Sequence, residues 1–158
     1  MNVITGSKIH AEMFNVTTAL YELATIGGPN TVNEPLRVAL VTILDHVDAL
    51  VAALPVVGGL PSRAPRPVAL RDVTMPAGCP IPVRLERAQA ETLCAIVLAL
   101  STRVMDTLAW AKVGCSKREF SAYRPRAGYV VGYLYTELLR PLWHQHPDLE
   151  PAEMREPR

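Results

Sequence analysis

The sequence predicts an all-α protein: a four-helix bundle of two antiparallel helical hairpins joined by a long Pro-rich crossover. Three observations predict it. Four segments carry apolar residues at helical spacing. Ser116 and Glu119 form a Ser-x-x-Glu pair just past Gly114, so one helix opens straight after another ends. Seven of the fourteen prolines crowd into the 29 residues from Pro55 to Val83, between the second and third segments.

The first segment runs from about Ser7 to Ile26, with Ile9, Met13, Val16, Leu20 and Leu23 on one stripe. Ser7 is the expected cap, and Gly27-Gly28-Pro29 the expected stop. The second spans about Glu34 to Leu54, capped by Asn33, with Pro35 in the first turn where a missing amide is harmless. The short loop between them predicts an antiparallel hairpin.

The third segment, about Leu85 to Val113, is the most apolar: no charge appears from Thr92 to Thr102, and Cys94, Leu98 and Met105 populate a second face. A helix apolar all round needs cover all round. Helix three is therefore expected at the centre of the bundle or in an oligomer interface. The fourth segment runs from Lys117 towards His144, with kinks or breaks expected at Pro125 and Pro141. Gly128 and Gly132, one turn apart, would admit a neighbouring backbone.

Residues 55–83 are expected to form an irregular crossover. The alternative is a small hairpin of 68–75 and 81–85 about Pro76-Ala77-Gly78, which Pro80 and Pro82 disfavour. The expected organisation is one domain over 1–146 and a polar, flexible tail over 147–158.

Charge and cysteines exclude several functions. With 16 basic and 15 acidic side chains the net charge is +1, which gives no global drive towards nucleic acid or anionic membrane. The N-terminus lacks an apolar signal-peptide core, and the longest charge-free run, Ala49 to Ser62, is interrupted by Pro55, Gly58, Gly59 and Pro61. Membrane insertion is not expected. Cys79, Cys94 and Cys115, an odd and scattered set, read as reduced thiols and a cytoplasmic location.

Motifs for catalysis are missing: there is no Gly-x-Ser-x-Gly, Walker loop, Gly-x-Gly-x-x-Gly or His-Glu-x-x-His. The histidines, in Asp45-His46-x-Asp48 and His144-x-His146, do not share a helix face as ligands would, so no metal or cofactor is expected. Cys115 has a context that could lower a thiol pKa, a helix start beside Lys112, Lys117 and Arg118, but no histidine base is placed near it.

Two clusters remain. Seven of the nine aromatic residues follow Ala109, and Trp110, Tyr129, Tyr133, Trp143 and His144 are candidates for a ligand pocket between helices three and four or for an interface. Lys112, Lys117, Arg118, Arg124 and Arg126 against Glu119 alone give the stretch from Lys112 to Arg126 a charge of +4, a candidate anion-binding tip. The rest of the chain is nearly balanced to acidic, which disfavours nucleic acid as the partner. The leading expectation is a protein acting by association, as a homodimer or with a protein partner. Small-molecule binding in the aromatic pocket, with or without catalysis, comes second, and anion or nucleic-acid binding third.

Overall fold

Asn2, rather than Ser7, begins the first helix. Its side-chain carbonyl accepts from the amides of Ile4 (2.9 Å) and Thr5 (3.4 Å), so α1 spans Val3–Leu23 and runs straight through Ser7. The structure, a computed structural model, describes residues 1–26, 33–54, 65–78, 81–155 and 157. The expected Gly27-Gly28-Pro29 stop, the glycine pair at 58–59 and Cys79 lie outside the described residues.

The second helix, α2, spans Glu34–Ala52; Asn33 caps it by accepting from the Leu36 amide at 3.1 Å, with Pro35 in its first turn. The third, α3, covers Arg87–Gly114, and the fourth, α4, Lys117–Tyr133. The protein is all-helical, with these four helices packed against one another: α1 on α2 and α3, and α4 on α2 and α3. None of the described residues is in a strand, those at 68–75 and 81–85 included. One core joins the four, built on Ile9, Leu20, Leu40, Ile43, Val97 and Val130, each 0% exposed.

Between α3 and α4 the capping box is complete. Ser116 Oγ accepts from the Glu119 amide, and Glu119 accepts from the Ser116 amide at 2.8 Å. The same carboxylate takes the Met1 ammonium at 2.8 and 3.0 Å. Gly114 is the last residue of α3, and α1 explains it. A Cβ there would lie 2.2 Å from Thr5 Oγ1 and 2.6 Å from Thr5 Cβ, so only glycine lets α1 approach. The Asn2 amide donates to the Gly114 carbonyl at 3.0 Å across that contact.

Helix four continues through Pro125. The irregularity comes at the second proline. The turns Leu134–Leu139 are π-helical, and Pro141 sits in the first turn of the short helix α5, Arg140–Gln145. Pro141 has no N–H for the carbonyl four residues back and its ring collides with that carbonyl; widening the preceding turns relieves both.

Beyond α2 the described part of the Pro-rich segment lies along that helix. Arg66 donates to Asp45 (2.7 Å) and Asp48 (2.8 Å), Arg37 Nε donates to the Ala69 carbonyl, and Leu70, in a 3₁₀ turn Val68–Leu70, is buried. Further on, Val83 and Leu85 are gripped by Gln145. Its amide nitrogen donates to the Val83 carbonyl and its oxygen accepts from the Leu85 amide at 3.3 Å. Two more 3₁₀ turns follow α5, Pro147–Leu149 and Ala152–Met154, and Arg87 holds Asp148 by two parallel hydrogen bonds.

Candidate functional site

The aromatic residues that the sequence groups together are held at three separate places. Trp110 lies on α3 beneath Lys8 of α1, whose ammonium sits 3.9 Å from the ring centroid. Tyr129 and Tyr133 of α4 meet His46 of α2, the latter ring stacked at 4.2 Å and the former tilted at 5.9 Å. Trp143 packs edge-on to Tyr135 at 5.8 Å. Within the five-residue set, Trp143 and His144 line a common cavity.

That cavity is an open cleft of about 790 Å³ where α5 faces the two C-terminal turns. Tyr135, one of the aromatic residues concentrated after Ala109, lines it too, and Arg140, Asp148, Glu150 and Arg155, which the sequence does not single out, complete its polar wall. Arg140 and His144, four residues apart on one face of α5, make no hydrogen bond or ion pair among the described residues. Asp148 is already neutralised: the Arg87 guanidinium holds its carboxyl below the ordinary range. Trp143 is 4% exposed, and its indole nitrogen has no hydrogen-bond partner among the described residues. The Cys94 thiol lies beside that indole, and burial pushes the thiol pKa up. What the cleft offers chemically is a guanidinium with no partner among the described residues and an imidazole over an aromatic wall.

The basic tip is exposed throughout: Lys112, Lys117, Arg118, Arg124 and Arg126 all face water. Arg126 donates to the Ala122 carbonyl at 2.6 Å, and Glu119 is spent on Ser116 and the Met1 ammonium. Tyr123, which interleaves with these cations in sequence, is 1% exposed and turned inward, so its ring cannot stack on a ligand there. Its hydroxyl lies 2.6 Å from Thr107 Oγ1, which in turn donates to the Val104 carbonyl at 2.7 Å. Burial pushes the Tyr123 phenol up to about 12. Cys115 is moved away from reactivity as well. Burial first, and then the Glu119 carboxylate, push its thiol pKa up, against the Met1 ammonium. No group of three or more His, Cys, Asp or Glu side chains with metal-holding geometry occurs among the described residues.

The surface with most left to explain is the outside of α3. It is the one described helix long and apolar enough to cross a membrane, and 33% of its most apolar stretch is buried. Core helices pass the same test, so length and composition alone decide nothing here. Inward, Ala90, Leu93, Val97, Leu100, Val104, Thr107 and Ala111 are all buried. Outward runs a second line: Glu91, Ala95, Leu98, Thr102, Met105, Ala109 and Lys112. Leu98 is half-buried and the other six are exposed, Met105 by 50%. Helix three is thus an edge helix covered by α1 and α4 on its inner side, not a central one. The outer line was readable in part, since Leu98 and Met105 stand seven residues apart; its flanking alanines and end charges were not recognised as one pattern. Gly128 and Gly132 are exposed, and beyond their own helix backbone nothing among the described residues lies within 4 Å of the Cβ positions they lack. No known protein family, curated protein or solved structure matches this chain, so the site rests on its own geometry.

Proposed function

We propose that this protein works by association, as a homodimer joined through the outer face of α3, and serves as an adaptor, regulator or structural subunit rather than as an enzyme. One observation carries the reading. The most apolar helix of the molecule leaves Ala95, Ala99, Met105 and Ala109 exposed and Leu98 half-buried along its outer side, over several turns. Exposed contiguous apolar surface on a folded protein marks an interaction site, because burying it releases roughly 25 cal/mol for each Å² removed from water. The reading includes the topology that brings α3 to the edge: two antiparallel hairpins, α1–α2 and α3–α4, with the Pro-rich segment crossing from the end of α2 to the start of α3. It is supported by the contacts of Arg66 and Ala69 along α2 and by the Gln145 grip on Val83 and Leu85.

Sedimentation velocity over a concentration series tests the proposal. A dimer that gains population with concentration is expected, and a monomer at every concentration overturns it. A second reading, binding of a small organic anion in the C-terminal cleft, is favoured by Arg140 and His144 standing in one wall without a partner among the described residues. Calorimetric titration with inorganic phosphate and with an aromatic carboxylate, on the wild type and Arg140→Ala, decides it. Heat that the substitution abolishes supports that reading, and no heat with either probe removes it.

A further inference from the structure

We infer that the two copies pair their α3 helices antiparallel about a two-fold axis beside Thr102, with Leu98 against the partner subunit's Met105 and Glu91 against the partner subunit's Lys112. The inference rests on the association proposed above and adds the direction and register of the pair.

The outer line of α3 reads Glu91, Ala95, Leu98, Thr102, Met105, Ala109, Lys112, spaced alternately four and three residues apart. That heptad spacing keeps one straight seam on a helix that supercoils slightly about a partner. Its residues also read alike from either end: a charge, an alanine, a large apolar side chain, and Thr102 in the middle. The two end charges are opposite in sign. Positions 98 and 105, 95 and 109, and 91 and 112 stand nearly symmetrically about Thr102. An antiparallel partner therefore brings large apolar residues together on both sides of the axis, faces alanine with alanine, and matches each carboxylate with an ammonium.

Parallel pairing would align Glu91 with its own copy and Lys112 with its own copy, like charges at both ends. Alanine and threonine at the intervening positions let the two backbones approach closely, as small residues do wherever helices cross at short distance. Nothing among the described residues stands over the seam, since six of its seven side chains are exposed. Glu91 and Lys112 are 21 residues apart on one helix, about 32 Å along its axis at the helical rise. They can meet only between copies.

That separation makes the test decisive. Lys112→Glu and Glu91→Lys are each expected to weaken dimerisation about tenfold, because each creates two like-charge contacts across the axis. The double variant, which swaps the charges, is expected to regain most of the lost affinity, the remainder being lost because a lysine at 91 stands beside Arg87 in place of the Glu91 ion pair. Thr102→Cys is expected to form a covalent dimer on mild oxidation. Ala95→Cys is not, because its two copies would stand about 21 Å apart in the antiparallel pair. Circular dichroism checks that each variant folds, and the Thr102 and Ala95 thiols leave the ion pair between Arg87 and Glu91 untouched. If the wild type dimerises but Ala95→Cys cross-links as readily as Thr102→Cys, or the double variant fails to recover, the register is overturned and the association stands. A wild type that stays monomeric at every concentration overturns both.

Discussion

Two lines of residues run along α3 at the same heptad spacing, one from Ala90 to Ala111 and the other from Glu91 to Lys112. The inner line is buried, packed by α1 and α4, and ends in alanines. The outer line has similar apolar content in its middle, yet faces water and ends in charges. The difference teaches that apolar periodicity says where a helix can be covered, while the end residues say by what. An alanine at the end of a seam suits a neighbour in the same chain, whose close approach it permits. A charge at the end suits a surface that must also live in solvent and choose a partner.

The comparison breaks most visibly on the inner line. Leu93→Ala removes a fully buried side chain and is expected to cost about 2–5 kcal/mol, read from the urea midpoint. A loss below 1 kcal/mol would mean that the inner line is not the core. Next is the one polar member of that line. Thr107→Val leaves the Tyr123 hydroxyl buried without its partner, at a cost of about 1–3 kcal/mol, whereas adding Tyr123→Phe should recover most of it. The same phenol gives an alkaline signature. Its pKa in the folded protein is raised to about 12, so its contribution is complete below the ordinary value near 10 and lost as pH rises from there towards 12. Tyr123→Phe should flatten stability across that window.

At the α3–α4 turn the expected effects are smaller. Ser116→Ala should cost about 1 kcal/mol through the lost cap. The Met1 ammonium and Ser116 hold the Glu119 carboxyl down to about 2. Its contribution is therefore complete above its ordinary pKa near 4.3 and is lost as pH falls from there towards 2. Glu119→Gln should remove that acid dependence from urea midpoints measured across the interval. The smallest effect on stability sharpens the comparison from the other side. Met105→Ala, on the outer line, should change monomer stability by less than about 0.5 kcal/mol while weakening dimerisation in sedimentation. A large loss of monomer stability would place Met105 in the core instead.

What the sequence made legible was local. Asn33 with Pro35, and Ser116 with Glu119, each satisfy amides within a turn of themselves, so their roles could be read without knowing any other element. Gly114 was legible as a break between helices, but its cause, the side chain of Thr5, stands more than one hundred residues away in sequence. The start of α1 was missed because Asn2 and Ser7 are both good caps, and only the outcome distinguishes them. The aromatic set failed to form one pocket for a related reason. Periodicity assigns a residue to a face of its own helix but not to a level of the neighbouring one. So Trp110 meets Lys8, Tyr133 meets His46, and Trp143 meets Tyr135, each at its own place. The cleft at Arg140 depends on how residues 147–155 fold back towards α5, which no pattern within either segment announces.

The grip of Gln145 and His146 on Val83 and Leu85 reaches across some sixty residues, and it closes α3, α4 and α5 into a ring. The loop-closure entropy of such a ring grows only slowly with its length. The two-residue connection at Cys115 and Ser116 and the packing of α3 on α4 shorten the span that the clasp has to close. The clasp therefore ties the start of α3 to the end of α5, and its opening is a local event at that end of the one core that α1 and α2 share. In amide exchange, the Leu85 proton, held by Gln145, should be released through this local opening before the core amides of α3 and α4.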